Sequence, residues 1–374
     1  MNDLHEFLTP INLDYLNDDA DYNDGNLGSY IKAYENDLPD ITEADIILVG
    51  VNEQRGAGLK EQSDAADVVR KQLYRLNYWH TDVSIADIGN IKPGLALQDT
   101  YAAIRTVLTE LIKLERTVIV IGGSHDITLP QYHAYGNIKR IIDATVVDAA
   151  IDLKSESMLK SQSFLMEMLT GEPNFIRHYN HIGFQSYFVH PRMLETLDKL
   201  RFDCFRVGVV KEGIEEMEPV LRNTDLMSFD ISAVRYSDAP STEYSPNGFT
   251  GEEACTLMRY AGMSAKLSTA GIYGYQPEMD YRFNTAKQIS QMIWYFIDGK
   301  SRSKHEAHFD DKQNFNEYHT VFTDSDTMFL QSKRTNRWWM QLPGNEMIAC
   351  SYNDYVNASR NVIPERWLRA QERL

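Results

Sequence analysis

The chain has 374 residues, 43 % of them apolar and 24 % charged, and a formal net charge of −17. That size and balance suit one large globular domain with additions, or two domains, and the acidic surplus argues against nucleic-acid binding, which needs a basic face. No apolar run approaches the roughly 20 residues of a membrane span, and the opening Met1-Asn2-Asp3-Leu4-His5-Glu6 has neither region of a signal peptide, so a cytoplasmic protein without membrane insertion is expected.

Residues 1–43 read as an acidic irregular segment. Residues 17–26 are rich in Asp and Asn, as turns are, and lack the oxygen spacing and closing Glu of a calcium loop. From residue 44 to 300 strands and helices alternate. Ile46-Ile47-Leu48-Val49-Gly50 is a short β-branched run ending in Gly, the pattern of a buried parallel strand. Residues 52–62 form a loop, and Asp64 to Leu76 a helix with Ser63 as N-cap. Residues 84–90 are a strand and turn. Asp99 to Leu114 places Ala103, Ile104, Val107, Leu108, Leu111 and Ile112 at helical spacing. Thr117 to Ile121 is the next strand, broken by Gly122-Gly123. Residues 144–147, 181–184, 204–209, 225–230 and 268–273 are further strands. Helices are expected over 214–223, over 251–261 with Thr250 as N-cap, and over 285–297 with Gly299 beyond the end. Such alternation predicts a mainly parallel sheet covered on both faces. Residues 301–319 are polar and read as a linker or surface loop. Residues 320–374 hold three of the five tryptophans but look too short for a core of their own. They are expected to pack on the main domain, or to meet a partner protein or a second copy through the Trp-rich stretch. The three cysteines, Cys204, Cys255 and Cys350, are scattered and read as reduced thiols.

Three strand ends carry the chemistry. Gly122-Gly123-Ser124-His125-Asp126 follows one apolar run, Asp148-Ala149-Ala150-Ile151-Asp152 a second, and Ser228-Phe229-Asp230-Ile231-Ser232 a third. Strand ends are where an α/β sheet gathers its ligands, and one imidazole with three carboxylates suits a divalent metal such as Mn²⁺. Carboxylates ending apolar strands are expensive to bury alone. A bound cation would resolve that cost, and so would Lys or Arg partners; the residues themselves leave both open.

In this order the motifs resemble the ureohydrolase family: arginase, agmatinase, proclavaminate amidinohydrolase and formimidoylglutamase. Gly274-Tyr275-Gln276-Pro277 before Thr285-Ala286, Val49-Gly50 with Arg55-Gly56, Asp87-Ile88-Gly89, and residues 247–254 add to the likeness. The resemblance implies a three-layer α/β/α sandwich around an eight-stranded parallel sheet, with a short C-terminal addition. It also implies two Mn²⁺ ions that activate a bridging hydroxide. The ligands of one ion carry over as His125, Asp148, Asp152 and Asp230. The second ion's own ligands fall at Ala150 and Ser232, and the Glu that grips the substrate falls at Gly274. No His stands where arginases place their proton shuttle; Ser161-Gln162-Ser163-Phe164-Leu165 occupies that stretch.

Three readings follow. In the first, the protein is a degenerate ureohydrolase with one Mn²⁺ at most, working by binding a small guanidino or formimidoyl ligand or a protein. In the second, a mononuclear hydrolase of a linear amidine C–N bond uses Asp126 or His133 for proton transfer. The third has the four residues making salt bridges alone. The tract from Asp238 to Pro246 points to formimidoylglutamase as the nearest subfamily, and Arg235 and Arg282 are candidates to pair a substrate carboxylate.

Overall fold

The computed structural model describes residues 4–17, 22–59, 63–241, 245–322 and 325–372. The acidic turn at 17–26 and the loops at 52–62 and 238–246 lie partly outside them.

The segment 1–43, expected to be irregular, contributes two short strands, β1 (Leu8–Thr9) and β2 (Lys32–Ala33), and the strands that follow are β3 (Ile46–Gly50), β4 (Ile85–Ile91), β5 (Thr117–Ile121), β6 (Ile142–Val147), β7 (Ile176–Phe184), β8 (Asp203–Arg206), β9 (Leu226–Asp230) and β10 (Thr269–Tyr273). Eight run parallel in the order β4-β3-β5-β10-β9-β6-β7-β8. β1 adds antiparallel to the β4 edge, and β2 also pairs with β4. The strands are buried on both faces because their residues alternate between two cores. Ile46 and Leu48 belong to one, Ile47 and Val49 to the other; β5 divides likewise, with Ile119 and Ile121 against Val118 and Val120. Helices cover each face, giving the expected three-layer sandwich.

The helix at Gly251–Gly262 opens on a capping box: Glu253 N donates to Thr250 Oγ1 (3.1 Å) and Thr250 N to Glu253 Oε2 (2.7 Å). The last helix of this domain is longer than its periodicity implied. It spans Asn284–Lys304, and Gly299 lies buried inside it instead of beyond its end. A Cβ there would stand 2.1 Å from Arg259 O, so Gly299 permits close packing against the 251–262 helix. The strand expected over 204–209 stops at Arg206, and Val207–Glu212 turns helical.

The C-terminal segment does have a core, contrary to the expectation from its length. β11 (Phe315–Phe322), β12 (Ser325–Ser332), β13 (Trp338–Gln341) and β14 (Met347–Cys350) form an antiparallel sheet, followed by helices Tyr352–Ser359 and Glu365–Gln371. Phe322, Phe329, Trp338, Met340 and Trp367 pack together beneath it. The three tryptophans of this segment are buried, so a partner reaching it would meet other side chains. Arg222 fastens the sheet to the main domain. Its guanidinium stacks 4.4 Å from the Trp339 ring centroid and donates to Trp338 O (3.0 Å) and Cys350 O (3.2 Å). Arg337 donates to Met263 O (2.9 Å). Cys204, Cys255 and Cys350 are free thiols, and no helix among the described residues is long and apolar enough to cross a membrane.

Candidate metal centre

The site lies at the carboxyl ends of β5, β6 and β9, near the centre of the sheet. Gly122 and Gly123, both at positive φ (87° and 86°), turn the chain sharply out of β5. A Cβ on Gly122 would press on Val51 O at 2.8 Å. The turn delivers His125 over the sheet. β6 ends at Val147, so Asp148 and Asp152 flank the loop that follows. β9 ends at Asp230 itself.

His125 Nδ1 faces carboxylate oxygens from three residues: Asp152 Oδ2 at 2.9 Å, Asp148 Oδ2 at 3.3 Å and Asp230 Oδ2 at 3.4 Å. His125, Asp148 and Asp152 each offer a ligand atom within 4.8 Å of the other two. On the far side of the ring, Nε2 meets Ser228 Oγ (3.0 Å), which in turn meets Thr128 Oγ1 (2.6 Å). One ring nitrogen thus looks into the acidic cluster while the other is held by the scaffold, as in metal-ligating histidines.

The same two carboxylates have a second side. Asp148 Oδ1 accepts from Ser232 Oγ (2.9 Å) and Ala150 N (3.1 Å), and Asp230 Oδ1 accepts from Ser232 N (2.7 Å). Gly274 adjoins this side, since a Cβ there would stand 2.9 Å from both Asp230 carboxylate oxygens. Ala150, Ser232 and Gly274 therefore all border the cluster.

Burial opposes charge throughout the site, and proton placement follows from it. Burial works against the His125 imidazolium, but Asp230, Asp148 and Asp152 outweigh it and hold its pKa well above the ordinary value. Asp148 is held low: burial opposes its charge, and the hydrogen bond from His125 prevails. Burial and the neighbouring Asp148 push Asp152 up to about 8. Asp230 is raised as well, by burial first and Asp148 after the opposing pull of His125. The cluster thus balances its negative charge with protons. A divalent cation would supply that balance directly, and three carboxylates with one imidazole are a donor set it accepts. The residues fit one such ion. On the second side Ala150 offers no side-chain donor atom and the Ser232 hydroxyl already donates to Asp148, and these do not fit another. Among the described residues no Lys or Arg, the other resolution open from the sequence, pairs with these carboxylates, which meet His125 instead.

The two proton-transfer candidates have their own partners. Asp126 is fully buried, with its carboxylate bonded by Tyr101 OH and by Ser124 Oγ (2.6 Å); burial raises its pKa. His133 sits on the Thr128–Asn137 helix beside Glu167 and Arg105, and burial lowers its pKa. His181 is a core histidine beneath the site. Its Nε2 lies 3.2 Å from Asp148 O and its Nδ1 2.9 Å from Tyr179 OH, and burial pushes its pKa down to about 4. Ser228 had no role assigned from sequence. Its signal was the two-residue spacing to Asp230, which puts both side chains on one face of β9.

The fold and site define a class: an α/β/α protein with a metal-ligand set at the carboxyl ends of adjacent parallel strands. The model of the arginase family matches residues 44–298, and the chain belongs to that family. Among curated proteins it is similar to formimidoylglutamases from Halalkalibacterium halodurans (22 % identical over 267 residues, 64 % of this chain and 81 % of that one) and Staphylococcus aureus (24 % over 261 residues, 67 % and 82 %). Among solved structures it resembles Trypanosoma cruzi formiminoglutamase with Mn²⁺ (TM-score 0.66, 16 % identity, covering 75 % of this chain and 99 % of that one). Bacillus subtilis formimidoylglutamase superposes equally well (TM-score 0.66, 17 % identity, 76 % and 94 %). The match ends at residue 298, so the C-terminal sheet lies outside the family region.

Proposed function

We propose that this is an arginase-family protein that retains one half of a two-ion centre, binds a single Mn²⁺-class cation and has lost two-ion hydrolysis. One observation carries the reading. Each carboxylate that would bridge two ions, Asp148 and Asp230, turns one oxygen toward His125 and has the other capped by Ser232 or Ala150. When bound, such an ion would supply Lewis acidity and a lowered pKa for coordinated water. His125, Asp148, Asp152 and Asp230 would hold it, with Ser228 and Thr128 fixing the imidazole. Losing several groups that work as a unit lowers turnover by orders of magnitude. The protein then acts by binding, its ligand a small guanidino or formimidoyl compound or another protein.

A second reading, a one-ion hydrolase of a linear amidine C–N bond, is favoured by the curated relatives being formimidoylglutamases. One experiment separates the two. The full chain, purified from Mn²⁺-supplemented cells, is analysed for metal and assayed for formamide, urea or ammonia release from formimidoylglutamate and guanidino compounds. We expect one ion and no turnover. Turnover that disappears in Asp230→Ala would instead establish the one-ion hydrolase.

A further inference from the structure

The C-terminal sheet has two edges, and they differ. β14 lies against the main domain, where Arg222 donates to Cys350 O (3.2 Å). β11 pairs with β12, and among the described residues no second strand adjoins it. Ser332 N donates to Arg337 O (2.9 Å), so Ser332 directs its backbone groups toward β13. By the alternation of an antiparallel ladder, Leu330, Met328 and Asp326 do the same. Phe315, Glu317, His319 and Val321 stand opposite these residues, so their N–H and C=O groups point outward from the sheet edge. Among the described residues no chain segment bonds to that edge.

Open strand edges template pairing, and proteins blunt them with Pro, Lys or bulges. β11 has none of the three. Its sequence, Phe315-Asn316-Glu317-Tyr318-His319-Thr320-Val321-Phe322, lacks Pro and Lys, and its register with β12 runs without a shift. One face of the strand is occupied: Tyr318 stacks on Trp338, and Phe322 meets Trp367 edge-on. On the other, Glu317, His319 and Val321 are exposed, Val321 by 65 %.

We propose that β11 is the contact with a second copy of this chain, pairing antiparallel with that copy's β11 about a two-fold axis at Tyr318 and joining two four-stranded sheets into one. The strand's own sequence selects this occupant and this register. Across the edge, only the outward residues Phe315, Glu317, His319 and Val321 can exchange backbone bonds. Centring the pair on Tyr318 sets Glu317 opposite His319 of the second copy, Phe315 opposite Val321, and Asn316 opposite Thr320. Opposite charges, and an aromatic facing a β-branched residue, are favourable cross-strand pairs. Sliding by two residues in either direction sets Glu317 opposite Glu317 or His319 opposite His319, and like charges directly opposite are unfavourable. Glu317 Oε1 (2.9 Å) and Asp326 Oδ2 (3.2 Å) of its own chain raise the His319 pKa and so favour the cation that an incoming Glu317 would meet. An edge complementary to itself gives the isologous contact of a two-fold dimer. The inference is independent of what the metal centre holds, and β11 lies outside the family region at 44–298.

Sedimentation velocity of the full chain tests it over about a hundredfold range of concentration, because a strand pair buries less than a standard interface and should dissociate on dilution. We expect a monomer–dimer equilibrium, with amide hydrogen exchange at Glu317, His319 and Val321 slowing as dimer forms. Glu317→Lys, at an exposed position, should weaken dimerisation about fivefold or more. Glu317→Lys/His319→Glu restores opposite charges in the same register and should recover it. A chain that stays monomeric throughout overturns the proposal. So does a dimer that leaves exchange at those three amides unchanged, or one indifferent to Glu317→Lys. A folded double variant as weak as the single one overturns the register centred on Tyr318.

Discussion

The two sides of Asp148 differ in how their oxygens are satisfied. Toward His125, its Oδ2 joins oxygens of Asp152 and Asp230 around one imidazole nitrogen. Toward Ser232, its Oδ1 is satisfied by a hydroxyl and a backbone N–H. The first side remains charged and needs a cation or protons. The second has become an ordinary hydrogen-bonded turn, in which buried polar atoms meet neutral donors. On the one-ion reading proposed above, the capped side is the one that would do without an ion, and the uncapped side the one that would hold it.

The largest expected effect comes from reversing that difference. Ala150→His with Ser232→Asp removes the cap and restores donors on the second side. The double variant should bind two Mn²⁺ per chain, read by metal analysis. A double variant that folds but still binds one ion breaks the comparison.

Next comes His125→Ala, which leaves three buried carboxylates without their cationic partner. It should cost about 3–5 kcal/mol in urea denaturation. Added Mn²⁺ should recover part of that loss if the carboxylates still bind it.

A smaller effect is the pH dependence set by His181 beneath the site. Its folded pKa is about 4 against an ordinary value of 6.5. Between those values the unfolded chain takes up a proton that the folded chain refuses. Stability from this group is therefore complete above pH 6.5 and is lost as pH falls toward 4, by on the order of 3 kcal/mol. Denaturation curves across that range should show a slope that His181→Gln flattens.

The smallest effect belongs to the capped side. Ser232→Ala removes one donor to Asp148 Oδ1 and should cost about 1–3 kcal/mol, less than His125→Ala. A larger loss there than at His125 would mean that the two sides had been assigned the wrong way round.

The parallel sheet and the gathering of His125, Asp148, Asp152 and Asp230 were legible because each rests on a pattern short enough to read. β3 and β5 are nearly continuous apolar runs, and His125, Asp148 and Asp230 stand just beyond or at the strand ends. What was hidden depends on contacts distant in sequence. The Thr128–Asn137 helix carries Pro130 and Gly136 and is almost wholly buried, so it shows no amphipathic stripe. Gly299 looked like a stop signal, but a neighbouring helix needed the space. β11 alternates exposed Glu317, His319 and Val321 with less exposed residues, and its first five residues fell within what read as a polar linker. That Ala150 and Ser232 stand where the family resemblance places other residues was readable. That Ser232 would turn back onto both Asp148 and Asp230 was not, because it depends on β6 lying beside β9.

The most direct measurement is native mass spectrometry of the full chain titrated with Mn²⁺. A single ion per chain at saturation, abolished by Asp152→Ala and unchanged by Ser232→Ala, is the predicted result. Two ions per wild-type chain, or none at any concentration, would contradict the account of a centre that keeps one half.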